Sequence, residues 1–130
     1  MSADQMRQPL RPAEGGIVAF RLADEIARLK SGAEWQNGDR HAVSLVKDDA
    51  LNVLLMALKK GARLHPHRVK GPIVVQLLSG QIRVSADGHE CAMSAGEMLA
   101  FDRGVAHGVD AVEESVMLLT TAIERAADAA

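Results

Sequence analysis

Tyrosine is absent from this sequence, and Phe20, Trp35 and Phe101 are its only aromatic residues, 2% of the chain. So few flat apolar rings argue against a stacking platform for sugars or nucleobases. A single cysteine, Cys91, excludes an intramolecular disulfide framework and fits a reducing compartment, so a cytoplasmic location is expected. Neither sign of charge is in excess: 15 Lys and Arg stand against 17 Asp and Glu, a formal net charge of -2. Without a cationic surface to attract phosphate backbones, nucleic acid is not an expected partner. Long apolar runs are missing too. The longest, residues 53–58, falls far short of the ~20 residues a bilayer-spanning helix needs, so no membrane partner is expected. Residues 1–16 are polar, contain Pro9 and Pro12 and lack the apolar centre of a secretory signal; they read as a flexible arm.

The 130 residues are 48% hydrophobic and 25% charged, which suits one globular domain with one core. That domain is expected over residues 17–122, followed by an Ala-rich tail at 123–130. Within 21–30, Leu22, Ile26 and Leu29 recur at helical spacing, and Arg21/Glu25 and Asp24/Arg28 form i,i+4 pairs on the opposite face. A short helix covering one face of a sheet is expected there, ended by Gly32. Beyond the Asn37-Gly38 turn, the pattern is of short strands at 41–46, 51–58, 64–69, 73–78, 81–86, 90–93, 98–101, 108–112 and 115–122. Turn dipeptides separate them, and Asp87-Gly88, flanked by the alternating Ile82, Val84 and Ala86, marks a β-hairpin with a type I′ turn. So many strands with one helix predict an all-β domain closed into a barrel or folded as two sheets, since closure removes exposed edges.

Two of the five histidines, His65 and His67, stand at i and i+2 in Gly-Ala-Arg-Leu-His-Pro-His. On an extended segment that spacing turns both imidazoles to one face, where they can share a metal ion. His107 lies in a loop leading into a strand that can bring it beside the pair. The alternative is that the three rings only line an apolar pocket.

In these residues the sequence resembles the small single-domain members of the cupin superfamily, over roughly residues 50–121. Gly61, His65, His67 and Gly80 correspond to the first cupin motif, with three residues between Gly61 and His65; Gly96, Gly104 and His107 correspond to the second. The resemblance implies a jelly-roll β-barrel and a divalent transition metal, Zn, Ni, Fe or Mn, held by His65, His67 and His107. It also implies a small-molecule ligand and a homodimer. Three departures stand out. The motif's Glu has no counterpart, for no carboxylate occurs between Leu51 and Ala86; Asp102 replaces the Pro of the second motif; Ala111 replaces its Asn. Without a carboxylate, the two-histidine facial triad of oxygen-activating iron is incomplete. Gln76 and Asp102 are the nearby oxygen donors that can supplement the imidazoles or line the pocket, although a turn role suits Asp102 better.

Charge is uneven along the chain. Lys59, Lys60, Arg63, Arg68, Lys70 and Arg83 occupy residues 51–86, whereas nine acids and only Arg103 and Arg125 follow from 87 onward. Cross-strand pairing accounts for this, and a second reading gives Arg63 or Arg68 to a ligand anion. His89 beside its turn is expected to be exposed and His41 to be structural. Cys91 reads as a small buried hydrophobe, and Met56, Met93, Met98 and Met117 as core filling. The aliphatic strand at 53–58 is expected to bury an outer face against a second copy. Two classes of function fit: a metal-binding enzyme acting on a compact organic molecule, and a non-catalytic metabolite-binding or sensory module. No residue apart from the histidines stands out as a general acid or base.

Overall fold

The computed structural model describes residues 16–123; the expected arm at 1–16, apart from Gly16, and the expected tail at 123–130, apart from Ile123, lie outside the described residues. Helix α1 spans Leu22–Leu29 and α2 Ala33–Asn37. The strands are β1 (Arg40–Lys47), β2 (Leu51–Leu58), β3 (Arg63–His67), β4 (Ile73–Ser79), β5 (Gln81–Ala86), β6 (His89–Ser94), β7 (Met98–Phe101), β8 (His107–Ala111) and β9 (Ser115–Ala122). They form two antiparallel sheets, ordered β1-β2-β9-β4-β7 and β3-β8-β5-β6. The all-β jelly roll read from the sequence is the architecture found.

Strands β2, β5, β7 and β9 have the expected ends, because the period of two and the flanking turn residues coincide there. Asp87 and Gly88 both have positive φ, 50° and 78°, as a type I′ turn requires. Gly80, between β4 and β5, has φ 91°, and a Cβ there would collide with the Glu114 carbonyl oxygen and Ser115. Ser115 is buried, and its hydroxyl accepts from Gln81 N and donates to the Glu113 carbonyl, closing that end of the barrel.

The core has two layers. Between the sheets lie Leu58, Ile73, Val75, Leu77, Ile82, Val84, Met93, Val109 and Met117. On the outer face of the five-stranded sheet, Leu55, Ala57, Val116 and Leu45 pack with Leu29 and Trp35 of the helices. Strand β2 therefore reads as an unbroken apolar run because both of its faces are buried. This corrects one expectation: the outer face of 53–58 is covered by the chain's own helices, with Leu55 and Ala57 fully buried, and is not left for a second copy.

Between Gly32 and the expected Asn37-Gly38 turn, where the sequence suggests no element, the chain forms a second helix that takes in Asn37. Trp35, the bulkiest side chain available, is 8% exposed at the centre of α2. Burying it on the sheet outweighs the weak helix signal of five residues. The ammonium groups of Lys30 and Lys59 sit 5.6 and 5.0 Å from the indole centroid. His41 is structural as expected, its Nδ1–H donating to the Leu29 carbonyl at 2.9 Å at the end of α1.

Two further expectations fail at sheet edges. Met98 is 59% exposed, since it points from the outer face of edge strand β7, beyond the reach of the helices. Cys91 shares the inner-face row of Val84 but lies on edge strand β6 and is exposed. Met93 and Met117 are buried and Met56 packs on the core, as expected. Among the described residues, no helix is long and apolar enough to cross a membrane.

Candidate functional site at one end of the barrel

Strands β3 and β8 position the histidines. Arg63 pairs with Asp110, Leu64 with Val109 and His67 with His107, so three steps on β3 oppose two on β8. The surplus residue makes a bulge at His65-Pro66, where a proline without an N–H loses no ladder bond. The bulge can sit close to β8 because residue 108 is glycine. A Cβ there would lie 3.0 Å from the Leu64 carbonyl oxygen and 3.2 Å from Pro66 N.

The register slip sets the surroundings of each histidine. His67 and His107 become cross-strand partners with ring centroids 4.5 Å apart, whereas His65 stands exposed on the bulge and its carbonyl accepts the His67 Nδ1–H at 3.2 Å. Among the described residues, no three His, Cys, Asp or Glu side chains are grouped as a metal-ligand set. His107 is 1% exposed, with its ring stacked 5.1 Å from Phe101. Its Nδ1–H donates to the Val105 carbonyl at 3.2 Å, while Nε2 is buried without a partner. Burial holds the His107 pKa below the ordinary value of 6.5, the Val105 bond opposes this, and the charge of His67 adds to the lowering. The ring is thus neutral near pH 7, with its Nε2 lone pair free.

The supplementary candidates do not converge on this pair. Gln76 alternates with the inward Val75 and Leu77, so it belongs to the outer face, between Met98 and Leu118 in register. Asp102 is 84% exposed and accepts the Arg103 N–H at 2.7 Å, a turn role. Arg63 bonds Asp110 at 2.9 Å, the cross-strand pairing that the charge pattern suggested. Arg68 donates to the Gly104 carbonyl at 2.6 Å and lines a hollow of about 440 Å³ with Pro66, Ser85, Asp87 and Val105; no histidine lines that hollow. His89 is exposed, as expected.

Asn52 is not among the residues that the sequence motifs single out. It alternates with the inward Leu54, Met56 and Leu58, so period two alone could have flagged it. Its Oδ1 is the other buried side-chain polar atom without a partner among the described residues.

The imidazoles can be tested against the metal that the fold family implies. Each of the two rings donates Nδ1–H to a backbone carbonyl, the outer-shell arrangement that leaves Nε2 as the ligating atom. A buried Nε2 with no partner suits a borderline divalent ion, so the pair fits as a two-imidazole anchor.

A family model described as a cupin domain matches residues 54–123. No match is found among curated proteins. Among solved structures, a conserved protein of unknown function from Streptococcus pyogenes is 26% identical, with 67% of this chain and 76% of that chain covered and a TM-score of 0.64. KdgF from Halomonas sp. is 17% identical over 69% of this chain and 84% of its own, TM-score 0.62. Salicylate 1,2-dioxygenase from Pseudoaminobacter salicylatoxidans is 16% identical, TM-score 0.72, with 89% of this chain matching 38% of that longer one. The last two share the fold alone. With the family model spanning more than half of the sequence and two antiparallel sheets arranged as a jelly roll, this chain belongs to the cupin family.

Proposed function

We propose that this cupin binds a divalent transition metal through Nε2 of His67 and His107, with His65 of the adjoining bulge as third donor, and presents a small organic molecule to it. The observation that carries this reading is the buried, unpartnered Nε2 of His107 in contact with the His67 ring. When bound, such an ion polarises a ligand oxygen or acidifies a bound water. The protein's own part is to hold the two imidazoles by their Nδ1–H bonds and to shield His107 behind Phe101. Elemental analysis of untagged protein is expected to find a stoichiometric metal that His107→Ala loses; metal-free protein that takes up none of the four candidate ions overturns the reading.

A second reading, a metal-free metabolite-binding module, is favoured by the inner face itself. Apart from the histidines, it is almost wholly aliphatic and has no carboxylate or lysine placed for proton transfer. The same metal analysis separates the two.

A further inference from the structure

Native proteins pair more than about 90% of their buried polar groups, so each exception calls for an absent partner. Among the described residues the two side-chain exceptions are Nε2 of His107 and Oδ1 of Asn52. They are far apart in sequence and on opposite sheets, yet they belong to one end of the barrel interior. Asn52 is in register with Thr121, Thr121 with Ile73 and Ile73 with Phe101, all on the inner face, and Phe101 stacks on His107. The row of side chains that begins at the Asn52 amide thus ends against the histidine pair. Even Thr121, directly across the ladder, gives Oδ1 no hydrogen bond.

Both orphaned atoms have the same need. An amide oxygen accepts; His107 Nε2, its neighbour Nδ1 carrying the proton, offers a lone pair. Between them in the row stand Thr121, Ile73 and Phe101, an apolar surface but for the one Thr121 hydroxyl. We propose that Asn52 is a specificity-determining residue, its Oδ1 accepting a hydrogen bond from a hydroxyl or N–H of the small molecule held near the histidines. The ligand class is then a compact, mostly apolar molecule carrying one hydrogen-bond donor. This rests on the reading of this barrel end as the ligand site but not on a metal being there.

The test uses the full chain, two variants without an acceptor, Asn52→Leu and Asn52→Val, and phenol and anisole as probes differing only in the donor. Without any probe, removal of an unpaired buried acceptor is expected to raise the thermal midpoint of at least one variant, by about 4 °C. A fall in both shows that Asn52 supports the fold and overturns the proposal. In NMR titrations the unchanged protein is expected to prefer phenol about tenfold, and a folded variant to bind both probes equally, because a site built to pair a donor discriminates against an analogue lacking it. Equal affinities in the unchanged protein, no binding of either, or a phenol preference that survives in a variant each overturn it. Metal content is measured in parallel. Loss of the phenol preference with metal content unchanged supports the role of Asn52, and a protein that never binds metal but still prefers phenol through Asn52 separates this proposal from the metal reading.

Discussion

His67 and His107, forty positions apart in the sequence, are cross-strand partners whose rings lie 4.5 Å apart, and only one of them is exposed. The exposed ring borders solvent, and the buried one keeps its Nε2 lone pair unpaired. Whatever binds here meets one exposed and one buried imidazole.

Substitution of the histidines tests this asymmetry. His107→Ala and His67→Ala are each expected to weaken metal binding by more than the roughly 100-fold that outer-shell changes cause, with a smaller loss for exposed His65→Ala and none for His89→Ala. Isothermal titration with zinc, nickel or manganese measures the four variants. Unchanged affinity in His107→Ala sinks the site.

Acidification is expected to cost stability through His107. Its pKa in the folded protein is depressed below 6.5, so the unfolded chain takes up the proton first. The contribution is complete above about pH 6.5 and is lost progressively as pH falls from there through the folded-state value. Urea midpoints between pH 5 and pH 8 are expected to fall toward the acid side, with a shallower slope in His107→Gln. Parallel slopes in the two proteins refute the assignment.

Gly80→Ala is expected to destabilise by about 2 kcal/mol or more, since φ 91° is strained for an L-residue and the new methyl meets the Glu114 carbonyl and Ser115. Gly61→Ala shares the backbone strain, φ 86°, but meets open space, and is expected to cost less. Chemical denaturation ranks the two; equal losses show that the contact at Ser115 is irrelevant.

Arg63→Ala is expected to change stability by less than about 1 kcal/mol, because the pair with Asp110 is 70% and 41% exposed. Probe binding is expected to be unchanged as well. A clear loss of affinity for an anionic ligand such as salicylate returns Arg63 to the site as an anion contact.

The homodimer remains our proposal. The cupin resemblance implies it; the outer face of β2 is covered by the helices, so the surface offered to a second copy is the one around the exposed Met98 on edge strand β7. Light scattering is expected to give twice the 13.9 kDa chain mass, and a monomer mass at micromolar protein excludes a dimer.

Local rules made much of this molecule legible. Period-two alternation placed the strands, Asp87-Gly88 fixed one hairpin, and the glycine and histidine spacing marked a cupin. Each of those signals spans a few residues and needs no knowledge of a neighbour. What covers a face was not local. The apolar run at 53–58 is the same sequence whether a second copy or α1 and α2 bury its outer side, and the covering was decided by where Trp35 docks. Cys91 and Met98 have buried-type residue patterns, but edge strands left them uncovered. The His65/His67 spacing suits a regular strand, which a bulge interrupts; that bulge is accommodated because Pro66 lacks an N–H and Gly108, on a strand forty residues away, lacks a Cβ. Register between distant strands is a property of the pair, so alternation of side chains can be read along one strand, whereas which two imidazoles meet depends on how β3 and β8 align in the folded barrel.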